Sequence, residues 1–205
     1  MTLQNRVLPT GEIAAIPERG TLMGNRGILH DADQRLGKAR WRHPHWVTCQ
    51  LSFKNRRRAL MQPGNYTELF FLDETTALAA GHRPCGECRR AEFKRFVALF
   101  HAANGTATLA GIDRRMHHDR VTRTRRQVRH TAQLETLPNG TFILHDATPH
   151  LVWDKHLLRY SPGGYTAALP RHEGPVTILT PACTVATLAA GYRPVPQTIT
   201  GTAPA

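Results

Sequence analysis

Apolar and polar positions fall into two regimes along the chain. Up to about residue 130, short β-like runs are mixed with helical stripes; beyond it, short β runs alternate with turn signals. Residues 1–19 show no period and are expected to form an irregular lead-in. Residues 20–31, GTLMGNRGILHD, carry apolar pairs punctuated by glycine and predict a strand, a turn at Gly24-Asn25 and a second strand. WVTCQLSF at 46–53 alternates, and 57–62 and 66–72 predict two more strands around the turn Pro63-Gly64-Asn65. A short helix over 74–80, capped by Asp73 or Thr75 and ended by Gly81, precedes a longer helix over 91–103. In the longer one Phe93, Phe96, Val97, Leu99 and Phe100 make a stripe read as core. Residues 112–121 predict a third helix, and TRTRRQVR at 122–129 an arm.

From Ala132 onward the expected strands are 132–137, 141–145, 150–153, 156–160 and 176–179, an antiparallel meander joined at 138–140, 154–155 and 162–164. The fold class is therefore α+β: a small antiparallel sheet with helices, tied by metal, followed by a second β-rich unit. The expected divisions are 1–19, a metal-binding unit at 20–105, a basic helix and arm at 106–130, and the β-rich unit at 131–205. Within that last unit TVATLAAGYRPV, from Thr184 to Val195, repeats the wording of Thr76 to Cys85 at an offset of 110, with Val195 where the first copy has Cys85. Either a related module or a recurring helix ending explains the echo.

The metal reading comes from cysteine spacing. Cys85 and Cys88 are two residues apart, and Pro84 and Gly86 supply turn chemistry, so both thiolates can reach one ion. Upstream, His45 and Cys49 are separated by three residues and complete a His-Cys-Cys-Cys set of the kind that structural Zn²⁺ accepts. His43 competes with His45 for the imidazole position. A redox dithiol or plain structural thiols are the alternatives. Four cysteines, three of them in this pattern, suit a reducing compartment, and no apolar run approaches the roughly 20 residues of a membrane helix. A cytoplasmic location is expected.

Charge adds a partner. The net charge of +12 is concentrated: residues 35–58 hold eight Lys or Arg and no acid, and 114–130 hold seven Arg against Asp119 alone. Two such segments, one wrapping the cysteines, suggest a phosphate-binding face, most simply for duplex DNA. Its candidates are Arg40, Arg42, Arg56, Arg57, Arg58, Arg123, Arg125, Arg126 and Arg129.

The run ALAAGHRPCGECR, from Ala77 to Arg89, with a His-x3-Cys pair upstream, resembles the zinc-binding domain at the N-terminus of the bacterial alkylation-response protein Ada and its relatives, over about residues 40–95. The resemblance implies a zinc scaffold and DNA contact, in repair, modification or restriction. In Ada itself the first cysteine of the first pair accepts a methyl group from a DNA phosphotriester. His45 stands at that position, and an imidazole is a poor methyl acceptor. PCGECRR also looks like half of a zinc-dependent cytidine deaminase site. The glutamate such enzymes need two residues after the upstream ligand is Val47 or Leu51 here, which leaves no acid/base group.

One further cluster invites a catalytic reading. Asp113, His117, His118, Asp119 and Arg120 crowd one predicted helix, where an imidazole or carboxylate could activate water beside a guanidinium. This keeps a nuclease or base-excising glycosylase as the alternative to a DNA-binding protein without chemistry. A solvated basic helix is the plainer account.

Overall fold

The computed structural model describes residues 2–55 and 59–197. Six short strands build the first sheet: β1 (Arg6–Val7), β2 (Ile13–Ala14), β3 (Leu22–Asn25), β4 (Val47–Gln50), β5 (Leu69–Phe71) and β6 (Arg83–Pro84), in the order β2-β1-β5-β3-β4-β6. It is mixed, not purely antiparallel: β1 runs parallel to β5 and β4 parallel to β6. Residues 1–19, expected to be irregular, supply β1 and β2 instead. Strands of two residues leave no period to read, and Val7 and Ile13 are buried against Leu69 and Phe71.

The turn expected at Gly24-Asn25 is absent, because β3 runs straight through it and pairs with β4 and β5 on its two sides. Gly24 serves a close approach there: a Cβ would lie 2.2 Å from the Val47 carbonyl oxygen and 3.0 Å from the Phe71 ring. The strand expected over 57–62 is not found in its described part, 59–62, which forms a turn.

Four helices follow local signals closely: α1 (Glu74–Ala79), α2 (Arg90–Asn104), α3 (Leu109–Arg120) and α4 (Ala182–Ala189). Asp73 caps α1, its Oδ1 accepting the Thr76 N–H at 2.8 Å. Past its end Gly81 takes φ +80°, and the Gly81 and His82 amides donate to the Leu78 and Ala77 carbonyls. The echoed sequence does the same: Gly191 and Tyr192 donate to Leu188 and Thr187. The shared wording therefore encodes one helix terminator used twice. Among the described residues no second copy of the first sheet surrounds α4. It packs on α2 and α3, where Cys183, Leu188 and Tyr192 share a core with Leu78, Phe96, Phe100, Ile112 and Met116.

The second sheet is antiparallel throughout: β7 (His130–Gln133), β8 (Phe142–His145), β9 (Thr148–Trp153), β10 (His156–Ser161), β11 (Gly164–Pro170) and β12 (Pro175–Ile178). Its order is β11-β10-β9-β8-β12-β7. Strand β11, which residue alternation did not mark, completes the meander. Leu72 and Ala79, at either end of α1, join its core with Phe142, Leu151, Leu158 and Tyr165. Tyr165 Oη donates to Asp73 Oδ2 at 2.7 Å, so the residue that caps α1 also fastens the second sheet. No helix among the described residues is long and apolar enough to cross a membrane.

Candidate metal centre and nucleic-acid interface

Parallel pairing of β4 with β6 sets the cysteines together. Val47 lies opposite Arg83 and Thr48 opposite Pro84, and the Cys85 amide donates to the Thr48 carbonyl at 2.9 Å. The strand ladder thus brings Cys49 and Cys85 side by side, and the turn into α2 returns Cys88 to them. The Sγ atoms of Cys49, Cys85 and Cys88 all lie within 4.8 Å of one another. A tetrahedral zinc with Zn–S bonds of about 2.3 Å spaces its sulfurs by about 3.8 Å, so slight closure suffices. Hydrogen bonding from Cys49, against the effect of burial, pulls the Cys85 thiol down to about 5. As the other member of that bond Cys49 is pushed up, and burial pushes Cys88 up. Three sulfurs sharing a thiolate in this way form a donor set that can hold a metal ion.

His45 does not join them. Among the described residues the group has three members. A chain spaced by four residues and entering a strand is carried about 13 Å along its course, so His-x3-Cys closes on one ion only through a turn, and β4 begins directly after Trp46. His45 is instead more than half exposed and donates from Nδ1 to Asp113 Oδ2 at 2.7 Å. His43 stacks near it, ring centroids 5.8 Å apart, and is not in the group either.

Buried ion pairs brace the cysteine loop on both sides. Arg83, two residues before Cys85, grips Asp113 on α3. Arg89, next to Cys88, meets Glu74 Oε1 at 2.8 Å and donates to Thr48 Oγ1 at 3.0 Å. Tyr192 Oη donates to the same Glu74 oxygen at 2.6 Å, which links α4 to the loop.

The cluster on α3 divides between two faces. Asp113 is taken by Arg83 and His45, and His117 Nδ1 accepts from Arg120 Nη2 at 2.9 Å. On the other side Asp119 receives Arg115 Nε at 3.0 Å, the Cys183 amide at 3.1 Å and the exposed His118 at 2.8 Å. Burial opposes ionisation of Asp119, and those hydrogen bonds outweigh it and hold the carboxyl below its usual range. The five residues expected to work together therefore do not face one point.

The arginines are arranged differently. Among the described residues six of them, Arg26, Arg40, Arg120, Arg125, Arg126 and Arg129, line a cavity of about 610 Å³ in which Glu12 is the sole acid. The guanidinium carbons of Arg26 and Arg120 lie 4.0 and 3.7 Å from the ring centre of Trp46. Trp41 stands beside it, centroid to centroid 5.9 Å. The 122–129 segment is a pinned turn, not a free arm. Thr122 and Arg126 are joined backbone to backbone, Val121 bridges Gln127, and Arg125 donates to the Lys38 carbonyl at 2.9 Å. Arg42 and Arg123 lie outside the cavity, Arg42 donating to the Ile28 carbonyl. Arg56, Arg57 and Arg58 lie outside the described residues. Sequence reasoning missed Arg26 and assigned Arg120 elsewhere; the signal at Arg26 was a lone charge in the uncharged run from Gly20 to His30.

In comparisons with protein-family models, curated proteins and solved structures, the chain finds no match.

Proposed function

We propose that the chain is a zinc-containing DNA-binding protein that acts in DNA repair, modification or restriction. One observation carries this reading: arginines from far-separated stretches converge on one cavity beside two tryptophans, with a single acid among them. Guanidinium groups gathered without matching carboxylates suit a polyanion, and aromatic rings beside them suit bases. Zinc held by Cys49, Cys85 and Cys88 would supply a cross-link between β4 and the loop leading into α2, and Trp46, directly before β4, lines the arginine cavity. His45 in place of the methyl-accepting cysteine of the Ada-type domain removes phosphotriester repair from this role.

Titration of labelled duplex DNA at ~50 and ~200 mM salt tests the reading, with an expected loss of about a hundred-fold in affinity for four or so released counterions. Absence of binding at the lower salt overturns it.

The second reading is a nuclease or base-excising glycosylase. His117 and His118 support it by lining a smaller cavity of about 410 Å³ with Trp41 and Arg114. Incubation with plasmid and modified-base DNA, with and without Mg²⁺, followed by mild alkali, reveals breaks or abasic sites. Product that persists in a His117→Ala, His118→Ala protein removes these residues from the chemistry, and no product from any substrate removes the reading.

A further inference from the structure

Two cations at the base of the arginine cavity lack an anion. Arg26 is 2 % exposed and so is Arg120. Arg26 donates Nε to His82 Nε2 at 3.3 Å and Nη1 to the Gly11 carbonyl at 3.1 Å. Arg120 donates Nη1 to the Gly81 carbonyl and Nη2 to the Pro44 carbonyl, both at 2.7 Å. Neither forms an ion pair with a carboxylate among the described residues, and Arg26 Nη2 and Arg120 Nε are buried without a partner. Asp113 acts on Arg120 only across space, because its own oxygens are held by Arg83 and His45. The other buried arginines, Arg83 and Arg89, each have a buried acid. Burying a guanidinium without a counter-charge is costly, and the π face of Trp46 offsets it only in part. Burial, reinforced by Arg40, pushes Arg26 down to about 9, which still leaves it charged near neutrality.

We propose that this cavity is a phosphate-recognition site sized for a nucleotide, in which Arg26 and Arg120 hold the phosphate. Guanidinium N–H groups match phosphate oxygens, and the charge of both groups is left without an acid among the described residues. The cavity falls in the range of small-molecule sites and has more room than a bare phosphate fills, with Trp41 on its wall to receive the attached base. The proposal rests on the DNA-binding reading only for the source of the phosphate, which is either a free mononucleotide or a nucleotide of a strand.

Thermal unfolding of the full chain with inorganic phosphate, a nucleoside 5′-monophosphate and the bare nucleoside tests the site. The first two are expected to raise the melting temperature and the nucleoside not to. Equal effects from monophosphate and nucleoside overturn the proposal. Arg26→Met is expected to melt at the same temperature as the parent or higher without ligand, since it removes an unpaired buried charge, and to bind monophosphate at least ten-fold more weakly. Unchanged protection in that protein also overturns the site. Should Arg26→Met fail to fold, Arg26→Lys, which keeps the charge and loses the fork, is expected to weaken monophosphate binding about ten-fold; unchanged affinity overturns the site.

Duplex oligonucleotides with and without a 5′-phosphate separate the sources. Competition by monophosphate with tighter binding of the phosphorylated end assigns the site to strands, and protection without competition assigns it to free nucleotides. Duplex binding without monophosphate protection overturns the site and leaves the DNA reading standing. Monophosphate protection without duplex binding does the reverse.

Discussion

Arg83 and Asp113 meet through two near-parallel hydrogen bonds, Nε to Oδ1 at 2.7 Å and Nη2 to Oδ2 at 2.9 Å, with both side chains buried. The pair ties α3, which carries Arg120, to the strand that delivers Cys85, so the cysteine group and the arginine cavity share one support. Asp113→Ala leaves Arg83 buried and unpaired, and is expected to destabilise the fold by roughly 3–5 kcal/mol in denaturant unfolding. A loss under about 1 kcal/mol means that water reaches Arg83 freely and the pair is not a support.

Removal of metal is the test of the cysteine group. Elemental analysis is expected to give close to one zinc per chain, and a strong chelator to lower the melting temperature. Cys88→Ser should lose the metal and melt like the chelated protein, whereas His45→Ala should keep it. Retention of zinc by Cys88→Ser removes that thiol from the site.

Gly81 meets two demands at once. Its φ of +80° is strained for any residue with a Cβ, and a Cβ there would lie 2.4 Å from Arg120 Cδ. Gly105, at the end of α2, has φ +63° and nothing within 4 Å of the same position. Gly105→Ala is therefore expected to cost about 1 kcal/mol, from backbone alone, and Gly81→Ala about 3 kcal/mol, because Arg120 must also move. Equal losses in parallel unfolding curves mean that Arg120 yields without cost.

His82 is fully buried between Phe71 and Trp46, and burial, with Arg26 and Arg120 acting in the same direction, holds its pKa well below the ordinary value. A histidine kept neutral in the fold binds no proton there, while the unfolded chain takes one up below its pKa of about 6.5. Stability from this group is thus complete above about pH 6.5 and declines as pH falls, by up to about 1.4 kcal/mol per pH unit. His82→Gln should flatten the stability profile between pH 5 and 6.5 by about that slope. An unchanged slope assigns the acid sensitivity to other histidines.

For DNA, Arg126→Ala and Arg129→Ala are each expected to reduce the slope of log affinity against log salt by about one, and Arg123→Ala, off the cavity, to change it less. Equal effects from all three mean that the whole basic turn, not the cavity, meets phosphate.

What the sequence determined by itself lies within a few residues of its cause. The Asp73 cap, the Gly81 and Gly191 terminators, the stripe with Phe96 and Phe100, and the closeness of Cys85 to Cys88 all follow from dihedral preference and short spacing, and each is seen in the fold. The α+β class follows too, since hairpin turns and helical periods are local. Tertiary structure decided the rest, because it depends on contacts between distant stretches whose partners no local pattern names. Two-residue strands such as β1 and β2 exist only through a neighbour's ladder, and Gly24 reads as a turn until Val47 is seen to press against it. His45 sits at ligand spacing from Cys49, yet the strand carries the two apart and α3 offers Asp113 instead. Arg26 looks like an ordinary surface charge and Arg120 like a member of the α3 acid-and-histidine cluster until the fold buries both against Trp46 and leaves them without an acid among the described residues, for electrostatic need is fixed by three-dimensional surroundings, not by position in the chain.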